Sequence, residues 1–111
     1  MVEQKQLDSL FAALADPTRR AIVARLADGP MTVGEIAAPF DMSLAAVSKH
    51  VHVLDRAGII DRNRHGRNIE CALNAARLKP VSDWIGDYEQ FWNERLDRLE
   101  QIIKENKRRG K

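Results

Sequence analysis

A mainly α-helical chain with one small β-hairpin is what the sequence predicts, on three observations. Apolar residues recur at threes and fours over most of the 111 positions, the period of helices with one buried face. Around Gly66 the period changes to two, with Ile69, Cys71 and Leu73 alternating against Asn68, Glu70 and Ala72, which reads as a hairpin. Just before it lie two short helical stretches separated by about four residues, the second with a basic face, and that is a helix-turn-helix pattern. Together these predict a winged helix-turn-helix, dimeric through its terminal helices, over residues 1–111 as one DNA-binding domain.

Leu7, Leu10, Phe11 and Leu14 place an apolar face on the first helix. Asp16 and Pro17 are a cap and a first-turn proline, opening a second helix through Ile22, Val23 and Leu26 that Gly29-Pro30 breaks. Arg19, Arg20 and Arg25 fall off its apolar side and read as a solvated face. Thr32 with Glu35 is a capping box for a short helix ending at Pro39.

The stretch 43–57, SLAAVSKHVHVLDRA, is the one the others support. Ser43 can cap it and Gly58 can end it. At about 100° per residue, Leu44, Val47, Val51 and Leu54 gather on one side, with Ala45, Lys49, His52 and Arg56 opposite and Ser48 on the flank. A face this small and basic suits the major groove. His50 falls on the apolar side and reads as a structural histidine, and its i, i+2 spacing from His52 prevents the two from chelating one metal.

Between residues 43 and 68 five cations, Lys49, Arg56, Arg62, Arg64 and Arg67, face only Asp55 and Asp61. The net charge of +2 says little about a nucleic-acid partner, so this local excess is what matters. Lys49 and the wing cations Arg62, Arg64, His65 and Arg67, the last two flanking Gly66, suit phosphate or minor-groove contact. Ser43, Ala45, Ser48 and His52 suit base edges, a small residue such as Ala45 accepting a thymine methyl.

Asn74 can cap a short turn, and Pro80 opens a last helix predicted over 80–106. Its apolar residues include Trp84, Ile85, Tyr88, Phe91, Trp92, Leu96, Leu99 and Ile103. Roughly 25 residues at 1.5 Å each approach 40 Å, more than so small a domain can cover. A two-fold dimer through these residues, with Leu7, Leu10 and Phe11, is the economical answer. It also sets two recognition helices about 34 Å apart. The basic tail from Lys104 is expected to fray.

The composition, 44% hydrophobic and 31% charged, is that of a folded globular chain. No apolar run approaches the roughly 20 residues that cross a bilayer, and residues 1–8 lack the features of a secretion signal, so no membrane partner and a cytoplasmic location are expected. One cysteine excludes an internal disulfide framework, and no CxxC pair exists to nucleate zinc. Cys71 reads as a buried thiol. Ser48 and His50 lack both geometry and an orienting acid, so an enzyme is not expected, and no cofactor or metal is expected either.

The segments LADPTRRAIVARLADGP and TVGEIAAPFDMSLAAVSKHVHVLDRAGIIDRNRHGRNIECAL, and most specifically SKHVHVLDRAGII followed by HGR, resemble the ArsR-type winged-helix transcriptional regulators of bacteria and archaea. The resemblance spans nearly the whole chain. It implies a homodimeric DNA-binding repressor, often acting on its own promoter and released by a small-molecule inducer. Ser43, Leu44, Ala45, Ser48, Lys49 and His52 match the recognition-helix positions, and Arg64, His65, Gly66 and Arg67 match the wing. Many members sense metal through cysteines before the recognition helix or through histidines on the last helix. TVGEIAAPF has no cysteine and the last helix no histidine. The ending WIGDYEQFWNERLDRLEQIIK resembles a non-metal subgroup with an aromatic C-terminal helix.

Two other readings fit the same residues. One is a winged-helix protein-interaction module whose long helix binds another protein. The other is a metal or redox sensor using Cys71 or the acidic residues Asp83, Asp87 and Glu94. The aromatic residues Trp84, Tyr88, Phe91 and Trp92 read first as dimer core and second as the lining of an inducer pocket.

Overall fold

The computed structural model describes residues 2–110, which divide into two compact units, one ending at Val81 and the other starting at Ser82. In the first, α1 (Val2–Leu14) and α2 (Pro17–Leu26) are followed by β1 (Met31–Thr32), α3 (Val33–Ala37), α4 (Leu44–Arg56), β2 (Ile60–His65) and β3 (Asn68–Leu73). A single 3-10 turn, Ala75–Leu78, then leads into α5 (Lys79–Arg109).

Side-chain caps fix the helix starts. Asp16 accepts from the amides of Thr18 at 2.8 Å and Arg19 at 3.1 Å, with Pro17 in the first turn where its missing N–H costs nothing. Thr32 and Glu35 form the reciprocal box: the Glu35 amide donates to Thr32 Oγ1, and the Thr32 amide to Glu35 Oε1. Ser43 Oγ accepts from the Ala46 amide at 3.1 Å and opens α4. At the other end the Ile59 amide donates to the Leu54 carbonyl and Gly58 to Asp55, a Schellman closure that needs a left-handed residue. Gly58 supplies it with φ of +83°.

The core is one cluster to which every element up to β3 except β1 contributes a fully or nearly fully buried side chain. Leu10, Ile22, Ile36, Val47, Val51, Leu54, Ile59, Ile60 and Cys71 are its largest members. Val81, at the start of α5, packs against it. Three α4 residues thus pin one side of that helix and leave the other outside.

The hairpin has company. β3 is central in an antiparallel sheet of order β1-β3-β2, with Met31 opposite Cys71 and Thr32 opposite Glu70. On its other side β2 pairs from Ile60↔Leu73 to His65↔Asn68. Gly66, with φ of +63°, takes the first central position of a two-residue turn, as a type II′ hairpin requires.

Four expectations change. Leu10 was expected at a dimer interface but is completely buried between the chain's own helices, so it has no surface to offer a second chain. Leu44 was expected on the buried side of α4; it sits in the first turn, ahead of the core, and is 58% exposed. Ile69 was expected inward, yet it pairs with Arg64 one step from the turn, where the hairpin has run past the helices, and it is exposed. The last helix extends to Arg109 instead of fraying from Lys104; lysine and arginine are good helix formers and favour a helix C-terminus electrostatically.

From Ser82 onward the second unit is the α5 helix. Its apolar stripe stays open in the single chain, with Ile85, Tyr88, Phe91, Trp92, Leu96, Leu99, Ile102 and Ile103 all about half exposed or more. Trp84 and Tyr88 rings lie 5.0 Å apart, and the Arg95 guanidinium sits 4.5 Å over Phe91.

Candidate nucleic-acid interface

With Val47, Val51 and Leu54 buried, the opposite side of α4 carries Ala45, Lys49, His52 and Arg56, all exposed, with Ser48 half-buried at the edge and Ser43 and Leu44 exposed at the helix start. The wing presents Arg62, Arg64, His65, Gly66 and Arg67, also exposed. Arg62 Nε lies 3.5 Å from Asp55 Oδ2, tying β2 to α4, and His65 Nε2 lies 3.6 Å from Glu70 Oε1 across the hairpin. Among the described residues, Lys49, Arg56, Arg64 and Arg67 have no ion-pair partner. Those four cations are free to meet phosphate.

The arginines of α2, expected to be solvated, act as structural clamps. Arg19 donates from Nε to the Ala13 carbonyl at 2.6 Å and from Nη2 to the Ala12 carbonyl at 3.2 Å, and Arg20 donates to Leu14 at 2.8 Å. Together they satisfy the open C-terminal carbonyls of α1. Arg25 donates to the Glu35 carbonyl and to Met31 Sδ. A signal was present: Arg19 and Arg20 each stand six residues past the carbonyl they cap, across a tight turn, where a long side chain can fold back.

Arg19 also reaches α4, its Nη1 lying 3.2 Å from His50 Nδ1. A guanidinium only donates, so in this contact Nδ1 is the acceptor. Asp16 Oδ1 is 4.0 Å from the same nitrogen. The Asp16 carboxyl is held below its ordinary value, first by the Arg19 amide, then by the Thr18 amide and the charge of Arg19, against some desolvation. His50 is thus a half-buried histidine tying α4 to α2, the structural role its place on the apolar side predicts.

Glu35 is likewise held low, by the amide and then the hydroxyl of Thr32. Burial pushes the Cys71 thiol up, with Arg62 pulling weakly the other way, so the reactive thiolate is disfavoured. Among the described residues no three His, Cys, Asp or Glu side chains converge to hold a metal, and no helix is long and apolar enough to cross a membrane.

Residues 14–63 match a helix-turn-helix domain family. The chain is 37% identical over 79 residues to the transcriptional repressor SdpR of Bacillus subtilis, an alignment covering 71% of this chain and 88% of that one. The crystal structure of an ArsR family transcriptional regulator, RHA00566, superposes with a TM-score of 0.72 at 43% identity, over 79% of this chain and 97% of that one. The solution structure of the homodimeric winged helix-turn-helix DNA-binding domain of Mb0332 from Mycobacterium bovis gives 0.63 at 26% identity, over 78% and 82%.

Proposed function

Because the chain belongs to the ArsR family of transcriptional regulators, we propose that it is a homodimeric autorepressor that reads an inverted repeat. As a family member it is a DNA-binding transcriptional regulator and not an enzyme. The observation that carries the finer reading is the outward side of α4, small and basic, beside an exposed cationic wing.

In this reading α4 enters the major groove. Ser43, Leu44, Ala45, Ser48 and His52 face base edges, while Lys49, Arg56 and the wing residues Arg62, Arg64, His65, Gly66 and Arg67 lie against the phosphates or the adjoining minor groove. Arg62 is shared with Asp55, which orients it, so its contribution is smaller than that of Arg64 or Arg67.

A second copy covers the half-exposed stripe of α5, at Trp84, Ile85, Tyr88, Phe91, Trp92, Leu96, Leu99 and Ile103, and also packs on Leu7 and Phe11. An open row of this length is far more apolar surface than a monomer usually leaves in water. The Mb0332 domain is itself homodimeric, which supports a dimer. Release by a small-molecule inducer and a cytoplasmic location complete the reading.

The test is binding of the purified protein to the DNA upstream of its own coding region, at several salt concentrations, against a scrambled duplex of equal length. Specific repression predicts a dimer-sized footprint and a preference of at least about a thousandfold. Equal, salt-sensitive binding to both duplexes removes the autorepressor reading.

A further inference from the structure

A cleft of about 420 Å³ opens between the C-terminal half of α1 and the last turns of α4. That is within the roughly 300–1,000 Å³ typical of small-molecule sites. Its floor is apolar, made by Ala12, Ala13, Val53 and Ala57. Val53 is 38% exposed, a branched apolar side chain left partly open on the recognition helix. The rest of the lining is the reverse in character, made by Ser9, Arg19 and Arg56.

No carboxylate lines this cleft. Of the carboxylates near these residues in sequence, Asp55 pairs with Arg62 and Asp16 accepts from the Thr18 and Arg19 amides, while Asp8, beside Ser9, is exposed and outside the lining. Arg56 has no ion-pair partner among the described residues. Arg19 spends three N–H groups on Ala12, Ala13 and His50, which leaves two of the five that a guanidinium carries. An apolar floor with two cationic donors and no counter-charge fits a ligand with one anionic head and a short apolar tail.

We propose that this cleft binds a small amphipathic carboxylate. The head group sits between Arg56 and Arg19, where guanidinium geometry favours a carboxylate, and the tail lies on Val53 and the α1 alanines. Resting on the DNA-contact role proposed above for Arg56, occupancy weakens DNA binding: the carboxylate takes a cation from the phosphates and draws Arg19 away from His50, which steadies α4.

The probe is octanoate, titrated into the uniformly labelled full-length protein and followed by amide NMR, with octanol as the uncharged control. Octanoate is expected to shift the amides of Ser9, Ala12, Ala13, Val53 and Ala57 with a dissociation constant on the order of 1 mM, the range for so small a ligand. Octanol should bind at least about tenfold more weakly, the loss of one charge-assisted contact. Arg56→Gln should lower octanoate affinity by about the same factor and leave octanol unchanged. Ser9→Glu, an exposed helix position in the lining, should weaken octanoate equally by competing for the same cations while leaving every α4 residue in place, which guards against a misfolded Arg56 variant. Equal affinity for acid and alcohol, or shifts confined to the Trp84–Trp92 stretch of α5, overturns the proposal. The regulatory arm is read separately as loss of DNA binding at saturating octanoate. Absence of specific DNA binding by the ligand-free protein defeats the repressor reading and leaves the NMR result standing on its own.

Discussion

Arg19 Nη1 lies 3.2 Å from His50 Nδ1, so one side chain both caps α1 and holds α4. Removing it frees the Ala13 carbonyl, leaves Ala12 with only the Ala15 amide, and orphans a half-buried imidazole nitrogen. Arg19→Ala is expected to cost about 1–3 kcal/mol in a denaturant titration. Arg19→Lys should recover only part of this, because a single ammonium cannot span Ala12, Ala13 and His50 together. An unchanged midpoint in both variants would show that the junction holds without the clamp.

Acid should loosen the same corner. Asp16 and Glu35 are both held below their ordinary values of 3.8 and 4.5. A carboxylate lowered on folding contributes stability that is fully present above its unfolded value and is lost as pH falls through the folded one. Stability should therefore decline as pH drops below about 4. Asp16→Asn keeps a good cap and removes the charge, so its stability curve should be flatter over that window. A variant curve parallel to the wild type would remove Asp16 from the account.

Lys49→Ala should weaken binding to all duplexes alike and lower the salt slope by about one unit. His52→Ala should instead change which sequences are preferred. Filter binding at four salt concentrations and a randomised-site selection separate the two; exchange of the outcomes would reverse the assignments.

Trp92, 63% exposed in the single chain, stands near the middle of the α5 stripe. Trp92→Asp puts a charge into the proposed interface and should raise the dimer dissociation constant at least about a hundredfold. Sedimentation equilibrium reads this directly, and a wild-type protein that sediments as a monomer at micromolar concentration would end the dimer reading.

What the sequence made legible was local chemistry. Ser43, Gly58, Asp16 and the Thr32–Glu35 box announce helix ends through residues only a few positions apart, and all four act as read. β1 escaped because its two residues gain strand character only by pairing with Cys71 and Glu70, some forty positions later. Periodicity assigned Leu44 and Ile69 to a side correctly as a pattern, but it carries no information about where the core ends along a helix or hairpin. Leu10 and Phe11 looked alike for the same reason, and only packing separates the buried residue from the half-open one. The arginines of α2 were read as solvated because their partners lie on other elements. The basic side of α4 and the wing were legible as exposed surface, since their residues are free of packing demands, and they are exposed in the structure.

Thr32 belongs at once to the strand that pairs with Glu70 and to the cap of α3, while Arg62 joins the wing to α4 through Asp55. The first helix of the pair, the recognition helix and the hairpin are therefore braced like the jaws of a fixed calliper. A gauge of set span favours duplexes whose grooves already match it and makes others bear the cost of deformation. Selectivity in such a protein extends to base pairs that no side chain reaches.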